Sequence, residues 1–141
     1  MTQVGLLEDN TRIAHLCATM LQYAGYQVTI YEHPRACLNA LLPPSTVYKP
    51  SEYCWQAQRP LPVDVLVLDL HLPDIGGMEV LRLLCSHPQT ASLPLIFCTA
   101  AAPAEIAYAL HVAPHATLIE KPFTFNELTA AIANALKAPV G

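Results

Sequence analysis

The sequence predicts an α/β fold in which five strands and five helices alternate, giving a doubly wound five-stranded parallel sheet with helices on both faces. Three observations carry this. Short apolar runs recur at 4–7, 28–31, 63–70, 95–98 and 117–120, each followed by a segment of helical character. The run VDVLVLDL at 63–70 is almost unbroken, as a parallel strand covered on both faces requires. No internal repeat interrupts the order, and such alternation closes into parallel strands joined by right-handed crossovers.

Val4 to Leu7 reads as a buried strand that ends in two acids, Glu8 and Asp9. Ile13, Leu16, Cys17, Met20, Leu21 and Ala24 then follow a 3, 1, 3, 1, 3 spacing that marks one face of a helix. Asn10 or Thr11 can cap its start, and Gly25 can take the left-handed conformation that ends it. A second strand covers 28–31, and Pro34 suits the first turn of a short helix through Leu42. From Pro43 to Pro62 the character changes. Five of the 13 prolines fall there, with Tyr48, Tyr53 and Trp55 and no helical or alternating pattern. This is an inserted proline-rich loop, and its aromatics are expected to fold back on the domain. Strand three leads through Pro73-Asp74-Ile75-Gly76-Gly77 into a helix over 78–85. Strand four at 95–98, a helix at 103–112 and strand five at 117–120 follow. Thr124 and Glu127 stand at capping-box spacing for a last helix through Lys137.

Composition narrows the function. The 141 residues fit one domain, 1–141. Hydrophobic residues make up 53% and charged residues only 13%, against a usual charged share of about 25%, which excludes a disordered chain. The 7 basic and 11 acidic residues leave a net charge of −4 and no basic cluster, so no nucleic-acid groove is expected. The longest uncharged stretch, Leu83 to Ala104, is broken by polar residues and prolines, so no membrane span is expected. Met1-Thr2-Gln3-Val4 lacks the basic and apolar regions of a secretory signal. Cys17, Cys37, Cys54, Cys85 and Cys98 are scattered and never form a CxxC pair. They read as reduced, mostly buried residues of a cytoplasmic protein. Of the six histidines only His111 and His115 approach helical spacing, and Pro114 lies between them, which argues against a transition-metal site.

Four strands finish in polar residues of specific types: Glu8-Asp9, Asp69, Thr99 and Lys121-Pro122. In a parallel sheet these side chains converge on one edge, at the carboxyl ends of the strands, where ligands of such sheets bind. Three carboxylates held together resist joint ionisation. Either a pKa rises or a cation sits among them, and an all-oxygen donor set suits Mg²⁺. Lys121 and Thr99 add a positive charge and a hydroxyl, which a transferred phosphoryl group needs.

The segments Leu6-Leu7-Glu8-Asp9, LDLHLPDIGGMEVL from Leu68 to Leu81, Phe97-Cys98-Thr99-Ala100 and Ile119-Glu120-Lys121-Pro122-Phe123 together resemble the receiver domain of two-component response regulators. The spacing of 30 residues from Asp69 to Thr99 and 22 from Thr99 to Lys121 fits as well. The resemblance covers the chain apart from the proline-rich loop and implies a flavodoxin-like (βα)5 sheet. It implies that Asp69 is the phosphoacceptor, taking its phosphoryl group from a sensor histidine kinase or a phosphotransfer protein. It further implies Mg²⁺ bound by Asp9 and Asp69, with Glu8 acting mainly through water and the backbone carbonyl of His71 completing the set. Thr99 would bond the phosphoryl group and move with it, Lys121 would pair with the phosphoaspartate, and the Lys121-Pro122 bond would be cis. The chain would then be a switch and not a turnover enzyme.

The pattern also departs from the family. Leu118 stands where an aromatic reporter of phosphorylation is usual, Pro114 where the loop before strand five often has glycine, and Gly76 where an acid is common. From Ala100 to Ile119 the only formally charged residue is Glu105; this apolar face is either, as the resemblance implies, a homodimer or output-domain contact or an alanine-rich surface with no such role. Two other readings compete. A dehalogenase-type phosphatase also uses a strand-end Asp, Mg²⁺, Thr and Lys, but places its nucleophile on strand one with a second Asp two residues on, where this chain has His71. A degenerate, non-phosphorylated interaction module would not keep all five site residues. Asp64 reads as a solvated residue at the start of its strand, and Cys98 as buried and inert.

Overall fold

The first strand, β1 (Gln3–Leu7), is one of the three inner strands of the sheet. Next come α1 (Thr11–Tyr23), β2 (Gln27–Tyr31) and α2 (Pro34–Leu41), then β3 (Val65–Leu68), α3 (Gly77–Ser86), β4 (Leu95–Thr99), α4 (Pro103–Val112), β5 (Thr117–Glu120) and α5 (Phe125–Lys137). The structure, a computed structural model, describes residues 2–42, 61–69, 76–100 and 102–137. The strands form one parallel sheet in the order β2-β1-β3-β4-β5. The fold is the expected doubly wound five-stranded α/β sheet.

Strand alternation sorts the apolar side chains into two layers. Leu7, Leu66, Leu68, Leu95 and Phe97 face α2, α3 and α4, where Leu41, Val80, Leu84 and Ala109 meet them. Val4, Leu6, Val65, Val67, Ile96 and Cys98 face α1 and α5, against Ala14, Leu21, Leu128 and Ile132. The three inner strands are thus covered on both sides, which is why 63–70 carries so few polar residues. Complete burial of each such side chain contributes about 1.5–3 kcal/mol.

Local signals set the helix ends. The side chain of Asn10 accepts hydrogen bonds from the Arg12 and Ile13 amides at 3.0 and 3.2 Å, capping α1. At the other end Gly25 takes φ +98°, and the amides of Gly25 and Tyr26 donate to the Gln22 and Leu21 carbonyls, a Schellman closure. The capping box of α5 forms reciprocally: the Thr124 amide donates to Glu127 Oε1 at 3.0 Å, and the Glu127 amide to Thr124 Oγ1 at 3.1 Å.

Strand three is shorter than the apolar run suggests. Val63 is buried, yet ladder pairing begins at Val65, opposite Val4. Asp64 is more than a solvated residue: its amide donates to the Gln3 carbonyl at 2.7 Å and its Oδ2 accepts from the Gln3 amide at 2.8 Å. The carboxylate does here what a ladder carbonyl does elsewhere. Leu70, the turn at 73–75 and most of the proline-rich loop, with Trp55 and its two tyrosines, lie outside the described residues. Helix α4 buries only Ala109 and leaves Tyr108 49% exposed, so its apolar character faces outward, as the sequence suggests. No helix among the described residues is long and apolar enough to cross a membrane.

Gly5 of β1 sits where the neighbouring side chains leave little room for a Cβ. A Cβ there would lie 3.1 Å from Leu66 Cδ1 and from Val63 Cγ1, and 3.3 Å from Tyr31 Cε2. Gly5→Ala is therefore expected to lower stability by about 1–2 kcal/mol through overpacking, read as a drop in urea midpoint with an unchanged slope. A midpoint equal to or above that of the parent would show that these side chains yield freely.

Candidate functional site

In the strand order the chain runs from β1 out to β2 and then returns to the other side of β1 for β3. Helices consequently leave β1 and β3 toward opposite faces, and a crevice opens at the carboxyl ends of these two strands. Glu8 and Asp69 are the first residues past those ends. The sheet holds both in register: the Glu8 amide donates to the Tyr31 carbonyl at 3.2 Å, and the Asp69 amide to the Leu7 carbonyl at 3.4 Å. Both are buried, at 5% and 9% exposure.

Lys121 reaches the same point from β5. Its amide donates to the Thr99 carbonyl at 3.0 Å, and its bond to Pro122 is cis, as the resemblance implies. Its Nζ donates to Asp69 Oδ2 at 2.7 Å and to Glu8 Oε1 at 3.0 Å. One ammonium thus bridges two strand ends separated by 61 positions in the sequence. Thr99, the last residue of β4, is buried at 1% exposure on the strand beside β3. Asp9 is exposed beside Glu8, and His71 lies outside the described residues. The sequence-predicted set therefore divides: Glu8, Asp69 and Lys121 are directly bonded, Thr99 adjoins Lys121 through the backbone, and Asp9 stands at the rim.

The charge balance is uneven. Burial pushes the Glu8 carboxyl above its usual value; the Lys121 ammonium and the Asn10 amide pull it back, and Asp9 pushes it further up. For Lys121, burial alone would lower the value, but its hydrogen bonds and charge pairing with Asp69 and Glu8 outweigh burial and raise it. Lys121 therefore stays charged, while Glu8 shares one cation with Asp69 and is left under-compensated. A carboxyl whose folded value lies above its unfolded one favours folding in the protonated form. That contribution is full below the ordinary carboxylate range and is lost as the pH rises through the folded value. Glu8→Gln removes this loss. The variant is expected to unfold at a higher urea concentration than the parent at pH 7, with a flatter pH dependence above the ordinary value of 4.5. A lower midpoint at pH 7 would mean that the bond to Lys121 outweighs the burial penalty.

Sequence reasoning left three participants unused. Asn10, considered only as a cap, also donates its amide to Glu8 Oε2 at 3.3 Å. Cys17 and Cys98, read only as small apolar residues, line the same small cavity as Glu8, Asp69 and Lys121. Burial is the first cause that pushes both thiols up, so they are neutral at ordinary pH. No sequence signal marks them, because cysteine is common in cores. His115 meets the Leu93 carbonyl at 3.2 Å. Among the described residues no three His, Cys, Asp or Glu side chains gather closely enough to hold a metal ion by themselves.

A buried strand-end carboxylate bonded to a half-buried lysine thus stands at the turning point of a five-stranded parallel sheet. Residues 4–133 match the family model of the response regulator receiver domain, and the chain belongs to that family, a phosphorylation-activated switch of two-component signalling. It is 32% identical over 136 residues to the transcriptional regulatory protein CreB of Escherichia coli, covering 95% of this chain and 50% of CreB. It is 25% identical over 137 residues to the response regulator SaeR of Staphylococcus aureus, covering 96% of this chain and 51% of SaeR. The chain spans about half the length of these relatives. Among solved structures, a response regulator receiver domain protein from Clostridium thermocellum aligns with a TM-score of 0.74 at 20% identity, covering 96% of this chain and 94% of that one. CheY4 of Vibrio cholerae aligns with a TM-score of 0.72 at 21% identity, covering 96% and 99%. Likeness at these identities shows the fold. Receiver domains generally use Mg²⁺ and exchange phosphoryl groups with sensor kinases or phosphotransfer proteins.

Proposed function

We propose that Asp69 is the phosphoacceptor of this chain. One observation carries the reading: the Lys121 ammonium is bonded to Asp69 and Glu8 at the crevice. A carboxylate oxygen of Asp69 attacks the phosphorus of a phosphohistidine, and the P–N bond breaks with its electron pair passing to the imidazole. The protein contributes mainly position and charge. Thr99 donates its hydroxyl to a phosphoryl oxygen, and Lys121 pairs with the added charge of about −1.5 to −2. Because Lys121 already serves both Asp69 and Glu8, the added charge redistributes its bonds. Together with a shift of Thr99, this biases the neighbouring face without the aromatic that Leu118 replaces.

The donor set fits Mg²⁺: hard oxygens only, with an excess of buried negative charge over the single ammonium. Asp9 and Asp69 would hold the ion, with Glu8 acting through water and the His71 carbonyl as a further donor. Bound there, it would neutralise phosphoryl oxygens as a Lewis acid.

We read 1–141 as one receiver unit with a proline-rich insertion at 43–62, cytoplasmic and without turnover activity. Its partners are a sensor histidine kinase or a phosphotransfer protein, and through 100–119 a second copy or an output domain. The acidic balance speaks against nucleic acid as a ligand of this domain, and the composition against a membrane. The test is labelling with acetyl phosphate, with and without Mg²⁺, followed by peptide mapping. A single Mg²⁺-dependent adduct on Asp69 is expected; an adduct on Glu8 or Asp9 instead would refute the assignment.

A further inference from the structure

Among the described residues β2 has a neighbouring strand on one side only. The Gln27 amide donates to the Thr2 carbonyl, and the Tyr31 carbonyl accepts from the Glu8 amide. The backbone groups of Gln27, Thr29 and Tyr31 therefore turn toward β1, and those of Val28 and Ile30 face out of the sheet. An open edge of this kind is a template for another strand unless charge, proline or a bulge blunts it. None of these is present. The strand reads QVTIY, it pairs with β1 without a bulge, and no charged residue or histidine falls between Leu16 and Tyr31. The opposite edge is guarded, since β5 ends in Glu120 and runs into Lys121 and Pro122. We propose that β2 is a dimerisation edge, to which β2 of a second copy of this chain adds in antiparallel register about a two-fold axis through Thr29.

Register and charge select a second copy as the occupant. With Thr29 on the axis, Val28 of each copy stands opposite Ile30 of the other, and each such pair exchanges both of its backbone hydrogen bonds. This is the one antiparallel register in which both partners of every bonded pair lie within β2. The axis stands perpendicular to the sheet, so like layers meet. Val28 and Ile30 are half-buried against the layer beneath α1 and α5, and across the axis they extend that layer into the second copy. Thr29, exposed on the opposite face, meets Thr29 of the second copy. Each copy carries a net charge of −4, so contact is least opposed where neither brings a charge. At the ends of the pair Glu32 comes opposite Tyr26 and not another acid. Both outer edges of the joined sheet are then β5, and association stops at two. The contact is short and belongs with small transient interfaces. It is independent of the phosphoacceptor reading and separate from the 100–119 surface.

Sedimentation of the full chain without any phosphodonor should show the average mass moving from one chain toward two between about 10 μM and about 1 mM. Thr29→Lys places two ammonium groups on the axis and should weaken association at least about tenfold. Val28→Pro removes an amide that the monomer does not use, at an edge position where proline is tolerated, and should act in the same direction. Thr29→Lys alters only an exposed side chain and carries the test if proline unfolds the strand. Thr29→Cys should yield a disulfide-linked dimer on mild oxidation, because non-hydrogen-bonded antiparallel partners stand about 4.5 Å apart at Cα. Gln27→Cys, also exposed, should not, because the two copies of position 27 would lie about 13 Å apart along the strands. The Val28 and Ile30 amides should exchange quickly in dilute solution and slowly at high concentration.

A chain that stays monomeric at about 1 mM overturns the proposal and leaves the edge to a foreign strand. Slow exchange of both amides in the dilute monomer overturns it as well, since another part of the same chain would then cover them. A dimer indifferent to Thr29→Lys and lost with Tyr108→Lys would place the contact on α4 instead. Cross-linking of Gln27→Cys as fast as that of Thr29→Cys would refute the register.

Discussion

Asp69→Asn is expected to abolish phosphoryl uptake completely while leaving the fold in place. The amide has the shape of the carboxylate but lacks its charge and its nucleophilic oxygen, and no other buried carboxylate among the described residues shares its position at the end of β3. The substitution also changes the electrostatics in a direction that favours folding. In the parent, one ammonium serves Asp69 at 2.7 Å and Glu8 at 3.0 Å; in the variant, Lys121 is left to Glu8 alone. Intact-mass spectrometry after incubation with acetyl phosphate and Mg²⁺ should show an adduct on the parent and none on the variant, with matching circular dichroism. An adduct of undiminished yield on a folded variant would sink the assignment of Asp69.

Lys121→Met should destabilise the protein by about 2–4 kcal/mol at pH 7 without Mg²⁺. Methionine keeps an unbranched apolar stem and removes the charge together with its two hydrogen bonds, leaving two buried carboxylates with no ammonium bonded to either. Breaking a buried ion pair costs about 3–5 kcal/mol; the Lys121 side chain keeps 21% exposure, so solvent screening lowers the figure. The pH dependence gives the sign. Without the ammonium, which pulls the Glu8 carboxyl down, Glu8 favours protonation more strongly, so the variant's deficit should shrink on acidification as Glu8 becomes neutral. In the parent, the raised value of Lys121 means that its contribution is full below the ordinary lysine value of 10.5 and is lost as the pH rises through the folded one. Urea midpoints measured across pH with both proteins test this. Mg²⁺ should recover part of the variant's deficit, because a divalent cation supplies the missing positive charge. A variant equal in stability to the parent at neutral pH would show that water already compensates these carboxylates.

The strands and helices could be read from the sequence because burial dictates residue type. Continuous branched apolar runs mark the inner strands, and the 3, 1, 3 spacing of Ile13 to Ala24 marks α1. Boundaries were less clear where a polar side chain does a backbone's work. Asp64 continues the contact between β3 and β1 through its carboxylate, so hydrophobicity alone could not show that the ladder starts at Val65. The site was readable because charged residues at the ends of apolar strands have few structural reasons to be there. The division between Glu8 and Asp9 was not. Adjacent residues differ in orientation at the end of a strand, and only the register with β2 sends Glu8 inward to Lys121 while Asp9 stays at the rim. The proximity of Cys17 and Cys98 to the site was equally hidden, since they are 81 positions apart and each has the ordinary character of a core residue.

The chain is moored separately on each side of positions 43–60. Leu41 and Val63 are both buried in the same cluster, Leu42 and Leu61 pack against it, and Asp64 holds Gln3 with two hydrogen bonds. Closing a longer connection costs only about 0.6 kcal/mol per doubling of its length, so this interval is a natural port for splicing in a foreign peptide, a fluorescent reporter or a second binding module.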